Sequence, residues 1–226
     1  MLSIKKIMNR TQDNNIIKKA WIPVKYLKKI NNQTNYYIED ESFVEKKEFI
    51  DCSFSGAIEN SEVEKNIFQK CTFENFQMTG ILFKNVRFND CYTLNTRIKH
   101  SKLIRSEFNE SKLLGISFDS SIGSDITFLN CNCQFADFRE TKFKRTIFEN
   151  CILREADFQG ADLNGVTFNN CDLREAQFSF AILDGTNFCS SRIEGIKIQT
   201  ESLRGAIVSY QQAAYLGTRF LGLNIH

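Results

Sequence analysis

A period of five residues dominates this sequence and limits what it can fold into. From Ile58 to Leu203, 27 of the 30 residues at every fifth position are Phe, Leu, Ile, Met or Val, and the exceptions are Thr93, Gly123 and Cys133. This period matches neither the 3.6 residues of a helical turn nor the 2.0 residues of a strand. It therefore predicts an internal repeat in which each five residues form one short strand and one corner.

The neighbours of each large residue support this interpretation. The residue two places earlier is usually small, as in Ala156, Ala161 and Cys171. Residues two apart in a strand point to the same side, so one large and one small side chain should face inward in each repeat. Gly often stands two places after the large residue, as in Gly160 and Gly165. A turn that requires unusual backbone angles is expected there.

A second period, of twenty residues, sets the number of sides. Seven phenylalanines recur at this spacing: Phe68, Phe88, Phe108, Phe128, Phe148, Phe168 and Phe188. Three residues after them come five cysteines, Cys71, Cys91, Cys131, Cys151 and Cys171, with serines at the two remaining positions. Twenty is four times five, so the coil should have four faces with like faces stacked. We expect both columns to form the structural core.

The repeat divides the chain into three parts. Residues 43–207 are predicted to form the β-helix, with one residue missing at a shortened corner around 55–57. About eight coils at about 4.8 Å each give a rod on the order of 40 Å long. Residues 1–42 carry no repeat, and residues 1–30 contain eight Lys or Arg and one Asp. This segment is either a cap with a solvated basic surface or an arm that contacts nucleic acid or an acidic partner.

Residues 208–226 are predicted to close the other end of the rod. Residues 209–212 (SYQQ) read as a capping box, a helix is expected over 210–221, and Gly222 suits the position just after it. The remaining apolar residues exceed what a cap needs, which indicates a homodimer through this end. The predicted dimer interface consists of Leu216, Phe220, Leu221, Leu223 and Ile225.

Reactive residues are few, and no catalytic, cofactor or metal site is predicted. The two histidines, His100 and His226, have no triad or metal-ligand neighbours in the sequence. The cysteine column is interpreted as packing, because a metal needs ligands that converge on one point. Cys189 should point outward and be the most reactive thiol. The stacked carboxylates Asp137 and Asp157 are interpreted as solvated charge, so we expect no enzyme.

Targeting signals are also not evident. The start of the chain has no apolar signal core, and no run of 18 apolar residues occurs. Eight cysteines in such a chain indicate reduced thiols. A cytoplasmic protein without membrane contact is expected.

Three segments carry a resemblance to a known family. Residues 156–160 (ADFQG), 161–165 (ADLNG) and 171–175 (CDLRE) follow the pattern A(D/N)LXX. In this the chain resembles the pentapeptide-repeat family over roughly residues 44–207. The resemblance implies an all-β fold, a right-handed quadrilateral β-helix.

The C-terminal tail carries a narrower resemblance. Residues 206–213 (AIVSYQQA) and the ending LGLNI at 221–225 are similar to Qnr-type proteins. Qnr-type and MfpA-type members are dimers that bind DNA gyrase or topoisomerase IV as mimics of DNA shape and protect it from quinolones or toxins. The resemblance implies the same partner here. A general interaction scaffold with an unknown partner remains the alternative.

Overall fold

The computed structural model of the chain describes residues 28–33 and 43–225. Most of the predicted N-terminal cap or basic arm, and His226, therefore lie outside the described residues. The described part contains short strands, one 3-10 helix and one α-helix.

The strands recur at almost even intervals along the chain. In order they are β1 (Lys28–Asn31), β2 (Phe43–Glu45), β3 (Lys47–Ile50), β4 (Ser53–Glu59), β5 (Glu62–Glu64), β6 (Ile67–Gln69), β7 (Thr72–Thr79), β8 (Leu82–Lys84), β9 (Arg87–Asn89), β10 (Tyr92–Leu94), β11 (Arg97–Lys99), β12 (Lys102–Ile104), β13 (Glu107–Asn109), β14 (Ile122–Ser124), β15 (Thr127–Leu129), β16 (Lys142–Lys144), β17 (Ile147–Glu149) and β18 (Thr167–Asn169). The 3-10 helix is Thr200–Leu203, and α1 is Tyr210–Leu221.

These strands form three parallel sheets. One has eight strands in the order β1-β3-β6-β9-β13-β15-β17-β18, one has six in the order β16-β14-β12-β8-β5-β2, and one joins β10, β7 and β11 with β4 paired to β7. Beyond the first coil, partners lie 20 residues apart, as in Phe68↔Phe88 and Phe108↔Phe128, whereas pairs in the first coil such as Phe49↔Phe68 are 19 apart. Isolated parallel bridges continue the ladder to Asn187↔Ile207.

The register defines four faces. Face A contains residues 86–90, face B 91–95, face C 96–100 and face D 101–105. Each face also contains the equivalent segments of the other coils, which recur every 20 residues along the chain. The eight-stranded sheet lies on face A, the six-stranded sheet on face D, and the third sheet spans faces B and C. The predicted all-β solenoid with a C-terminal helix is thus confirmed.

The coil count differs from the prediction. About six turns of the parallel solenoid are built from regular strands, slightly fewer than the eight coils expected. Not every segment pairs well enough to form a strand, and near the C-terminal end single bridges replace several of the strands. The register shifts between Phe54 and Gly56, at the shortened corner that the sequence predicts.

Stacked phenylalanine rings fill the inside of the coil. Phe128 is fully buried, and its ring centroid lies 4.7 Å from that of Phe108 and 4.5 Å from that of Phe148, with nearly parallel planes. Rings of face C, such as Phe118 and Phe138, meet this column edge-on. Offset-stacked and edge-on rings are the favourable geometries for aromatic pairs, so the period of twenty produces a continuous aromatic core.

The corners account for the small and polar residues between strands. Asn150 has φ 52° and Gly160 has φ 68°, both in the left-handed region. Gly and Asn adopt this region at the lowest cost. Two bulky residues, Phe135 at φ 59° and Phe180 at φ 61°, occupy such corners and are exposed. Neither can turn its ring into the core from that position.

Helix α1 covers the last coil. The Ser209 hydroxyl accepts a hydrogen bond from the Gln212 backbone N–H, and the Gln212 side chain accepts one from the Ser209 N–H, which completes a capping box. Gln212 Nε2 also donates to the carbonyls of Phe188 and Ser191, at 2.8 and 2.6 Å. Gly222 ends the helix at φ 66°. The polar side chain therefore satisfies backbone groups that the end of the solenoid would otherwise leave unpaired.

Candidate binding surfaces

The cysteine column provides packing contacts. Cys91 Sγ donates to the carbonyl oxygen of Phe68 and Cys171 Sγ to that of Phe148, both at 3.4 Å. The thiols follow one another once per coil in a line, and all five column cysteines are buried. Among the described residues, no group of three or more His, Cys, Asp or Glu could hold a metal ion.

Three cysteines lie outside this column, and the first, Cys52, is buried in the first coil. Cys133 occupies a large inward position on face B and is fully buried, and burial raises the pKa of its thiol well above the usual value. Cys189 is exposed on face A. All eight cysteines are free. Cys189 is therefore the thiol most open to reagents, because its side chain alone among the eight is exposed.

The stacked carboxylates at 137 and 157 are held as ion pairs. Arg139 Nε lies 2.8 Å from Asp137 Oδ1 and 3.9 Å from Asp157 Oδ2. Burial opposes ionisation of Asp137, but hydrogen bonds from Arg139 and Ser117 outweigh it and hold the pKa of Asp137 below its ordinary value. A carboxylate that stays ionised and paired is a poor general acid.

The C-terminal end presents an open apolar groove. It has a volume of about 650 Å³ and is lined by Leu203, Val208, Phe220, Leu221 and Leu223, among others. The exposed fractions of Leu221, Leu223 and Ile225 are 65%, 48% and 52%.

Leu216, which the sequence places in the dimer interface, is instead 7% exposed. It packs against the core cluster of its own chain, and Phe220 is partly buried there too. Of the five predicted interface residues, Leu221, Leu223 and Ile225 are the most exposed, and Phe220 also lines the open groove. Helical spacing alone could not separate the inner side of α1 from the outer side.

Face B carries an apolar patch that sequence reasoning missed. Its members are Tyr92, Leu94, Leu114, Phe135 and Ile152, each between 41% and 50% exposed. Tyr92 and Leu94 flank an inward residue on one strand, and Leu114 follows Leu94 one coil later. The signal was present in the sequence as apolar residues at positions flanking the large inward one.

Within the described part of the chain, no helix is long and apolar enough to cross a membrane.

The repeat geometry agrees with a known sequence family. Residues 101–178 and 124–207 match the profile described as a pentapeptide repeat region. The chain is a pentapeptide-repeat protein. The match covers the coils in which the inward residues and the left-handed corners are most regular. No curated protein matches the chain in a sequence search.

Several solved pentapeptide-repeat structures are similar to this protein. A trypsin-treated variant of QnrB1, a plasmid-mediated fluoroquinolone resistance protein, is 22% identical, with 88% of this chain and 98% of that one covered and a TM-score of 0.40. HetL, involved in heterocyst differentiation regulation in the cyanobacterium Nostoc, is 12% identical over 79% and 88%, with a TM-score of 0.36. A protein of the Arabidopsis thaliana thylakoid lumen is 19% identical over 49% and 70%, with a TM-score of 0.29.

Proposed function

We propose that this pentapeptide-repeat protein is a non-enzymatic, homodimeric rod that binds a type II topoisomerase, either DNA gyrase or topoisomerase IV, and protects it from quinolones or toxins. The observation that carries the proposal is the C-terminal end. There a capped helix closes the solenoid and leaves an apolar groove beside exposed leucines. The tail that builds this end is the segment whose sequence resembles Qnr-type proteins.

The proposed dimer follows from the exposed apolar residues of this end. Leu221, Leu223 and Ile225 are each about half exposed or more and alternate with Gly222 and Asn224 at the end of the chain that the structure describes. Covering the exposed half of such a side chain with a second copy is worth about 1–2 kcal/mol. A twofold contact would join two rods end to end and cover the same patch on both copies.

The proposed mimicry concerns the shape of DNA and not its charge. Residues 43–226 hold 21 Lys or Arg and 23 Asp or Glu, a net charge of −2. A duplex of the same length, about 40 Å, carries about 20 or more negative charges. The rod therefore contacts its partner through local patches, and the proposal requires no anionic stripe along its whole length.

Two further features fit this role. The stacked short strands form a rod that offers long outer faces to a partner. On face C the carboxylate of Asp137 is paired with Arg139, which fits a non-enzymatic surface. All eight cysteines are free, which fits a reducing compartment such as the cytoplasm.

A supercoiling assay tests the proposal directly. Purified protein at micromolar concentration is added to gyrase or topoisomerase IV with and without a quinolone. We expect altered supercoiling or less drug-stabilised DNA cleavage. A double variant, Leu221→Glu with Leu223→Glu, should be monomeric by light scattering and lose the effect. Tyr210→Glu, at a residue that is 95% exposed on α1, is the control and should keep both properties.

The outcome that contradicts the proposal is equally clear. If dimeric wild-type protein leaves supercoiling, cleavage and drug sensitivity unchanged, topoisomerase is not the partner. If the protein is a monomer and still protects the enzyme, the dimer proposal fails while the partner stands.

The apolar patch on face B favours the second candidate, a general interaction scaffold. Exposed aliphatic and aromatic residues grouped on one face, such as Leu94, Leu114 and Phe135, are typical of a protein contact. A pull-down that recovers some protein other than gyrase or topoisomerase IV, and loses it on Leu114→Ser, would favour this role. Recovery of topoisomerase would favour the first.

A further inference from the structure

Face D differs from the other three faces in its charge. Across its four central segments, residues 81–85, 101–105, 121–125 and 141–145, it has one acidic residue, Asp125. The same segments have six basic residues: Lys84, Lys102, Arg105, Lys142, Lys144 and Arg145. The matching coils of face A carry one basic and four acidic residues, Arg87 against Asp90, Glu107, Glu110 and Glu149. The cations are therefore concentrated on one side of the rod.

Most of this positive charge is not neutralised within the chain. Arg145 forms a two-point ion pair with Asp125 at 2.8 and 2.7 Å, and Lys84 lies 3.6 Å from Glu62. Arg105 donates to a neutral oxygen, that of Asn85, at 2.7 Å. The remaining three, Lys102, Lys142 and Lys144, are exposed and make no ion pair with any described residue. Three exposed lysines and the half-buried Arg105 thus carry positive charge without an ion pair to a described residue.

An aliphatic centre lies among these cations. In the sheet register Lys102 pairs with Ile122, and Ile122 pairs with Lys142, so the isoleucine stands between two lysines one strand away on either side. In the next column Ile104 pairs with Ser124, which pairs with Lys144. The exposed fraction of Ile122 is 44%. With strands about 4.8 Å apart, the two flanking lysines are about 10 Å from each other at the backbone.

Acidic residues limit this basic surface at both ends. On the C-terminal side face D continues with Asp162 and Asp184, and on the N-terminal side with Glu62 and Glu64. The basic part is four strands wide, which corresponds to about 15 Å along the rod. A long polyanion that followed the rod would meet carboxylates beyond it. The surface suits a short anionic ligand.

We propose that the central part of face D is a docking site for a short acidic protein segment that also carries an aliphatic side chain. The acidic groups pair with Lys102, Lys142 and Lys144, and the aliphatic group covers Ile122. A nucleic acid fits less well, because its phosphates would leave Ile122 without an apolar contact. Duplex binders also neutralise more phosphates than four cations allow. This site is separate from the C-terminal end on which the proposed function rests.

Peptide binding measured by fluorescence anisotropy at low salt tests the site. The probe is a short labelled peptide that contains Glu and Leu, compared with a peptide in which Ser replaces Leu and with a short DNA duplex of equal charge. We expect the Glu–Leu peptide to bind most tightly of the three, and its affinity to fall as salt is added. The triple variant Lys102→Gln, Lys142→Gln, Lys144→Gln should bind it about tenfold more weakly, because three individually weak exposed ion pairs are lost together.

Matched variants on the opposite face control for general effects. Ile122→Ser on face D should lower the affinity for the Glu–Leu peptide about threefold. Ile152→Ser on face B, where the residue has nearly the same exposure at 42%, should change nothing, and neither should Lys112→Gln. The proposal is overturned if the peptide does not bind, if the control variants weaken it equally, or if duplex DNA binds more tightly and Ile122→Ser has no effect. The last result would mark a phosphate-binding face.

Discussion

Replacing Phe128 with Ala should destabilise the solenoid by about 4–5 kcal/mol. Truncation of a buried Phe usually costs about 3–5 kcal/mol through lost transfer free energy and the cavity that remains. Phe128 is fully buried and stacks on two rings at 4.7 and 4.5 Å, and each aromatic pair adds about 0.5–1.5 kcal/mol. The ladders on either side hold the backbone apart, so the cavity cannot close easily. We therefore expect the upper end of the range.

Urea unfolding followed by circular dichroism measures this cost, and a thermal scan gives a second value. For a chain of this size 1 kcal/mol corresponds to about 2–4 °C, so a melting temperature about 10–15 °C lower is expected. The matched control is Phe180→Ala, because that ring is 69% exposed at a corner and its loss leaves no cavity. Both variants remove the same atoms.

Two results would refute the reasoning. One is a loss of stability for Phe128→Ala no larger than that for Phe180→Ala. The other is a change in the urea dependence that shows unfolding of separate parts of the rod, since repeat proteins need not unfold in one step.

Three further predictions concern thiols, charge and the C-terminal cap. A thiol reagent added to native protein should modify Cys189 quickly and buried thiols such as Cys133 only after denaturation, as followed by mass spectrometry. Early labelling of several thiols would contradict the packed core. The Arg174 guanidinium holds the pKa of Asp172 below its usual 3.8, so the ion pair stabilises the fold above that pH and ceases to do so as acid protonates the carboxylate. Asp172→Asn should therefore cost up to about 1 kcal/mol at neutral pH and nothing in strong acid, measured by melting curves at both pH values. Ser209→Ala should cost about 1 kcal/mol in urea unfolding, because Ser209 caps α1, and an unchanged midpoint would contradict that role.

The sequence predicts the architecture well because the inside of the coil admits few side chains. The positions of Phe128 and its equivalents must be large and apolar in every coil, so their spacing shows the period directly. The same spacing located the shortened corner at residues 55–57. The number of turns built from regular strands was less well predicted, because single bridges replace several strands toward the C-terminal end.

The binding surfaces were harder to predict for a physical reason. Outward positions on a strand tolerate most residues, so no single position signals a function. The environment of Ile122 becomes visible only when the twenty-residue register places Lys102 and Lys142 beside it. Likewise, the sequence groups Leu216 with Leu221 in the predicted dimer interface, and the packing of α1 on the last coil buries the first and leaves the second exposed.

Proton–proton contacts between phenylalanine rings test the central claim most directly, which is that equivalent side chains 20 residues apart touch inside the coil. Specific labelling of Phe128 and Phe148 would allow their ring protons to be observed in a nuclear Overhauser experiment. A strong cross-peak is expected, because their ring centroids are 4.5 Å apart. Its absence in folded protein, or ring protons that respond to a solvent relaxation agent, would contradict the four-sided solenoid and every surface derived from it.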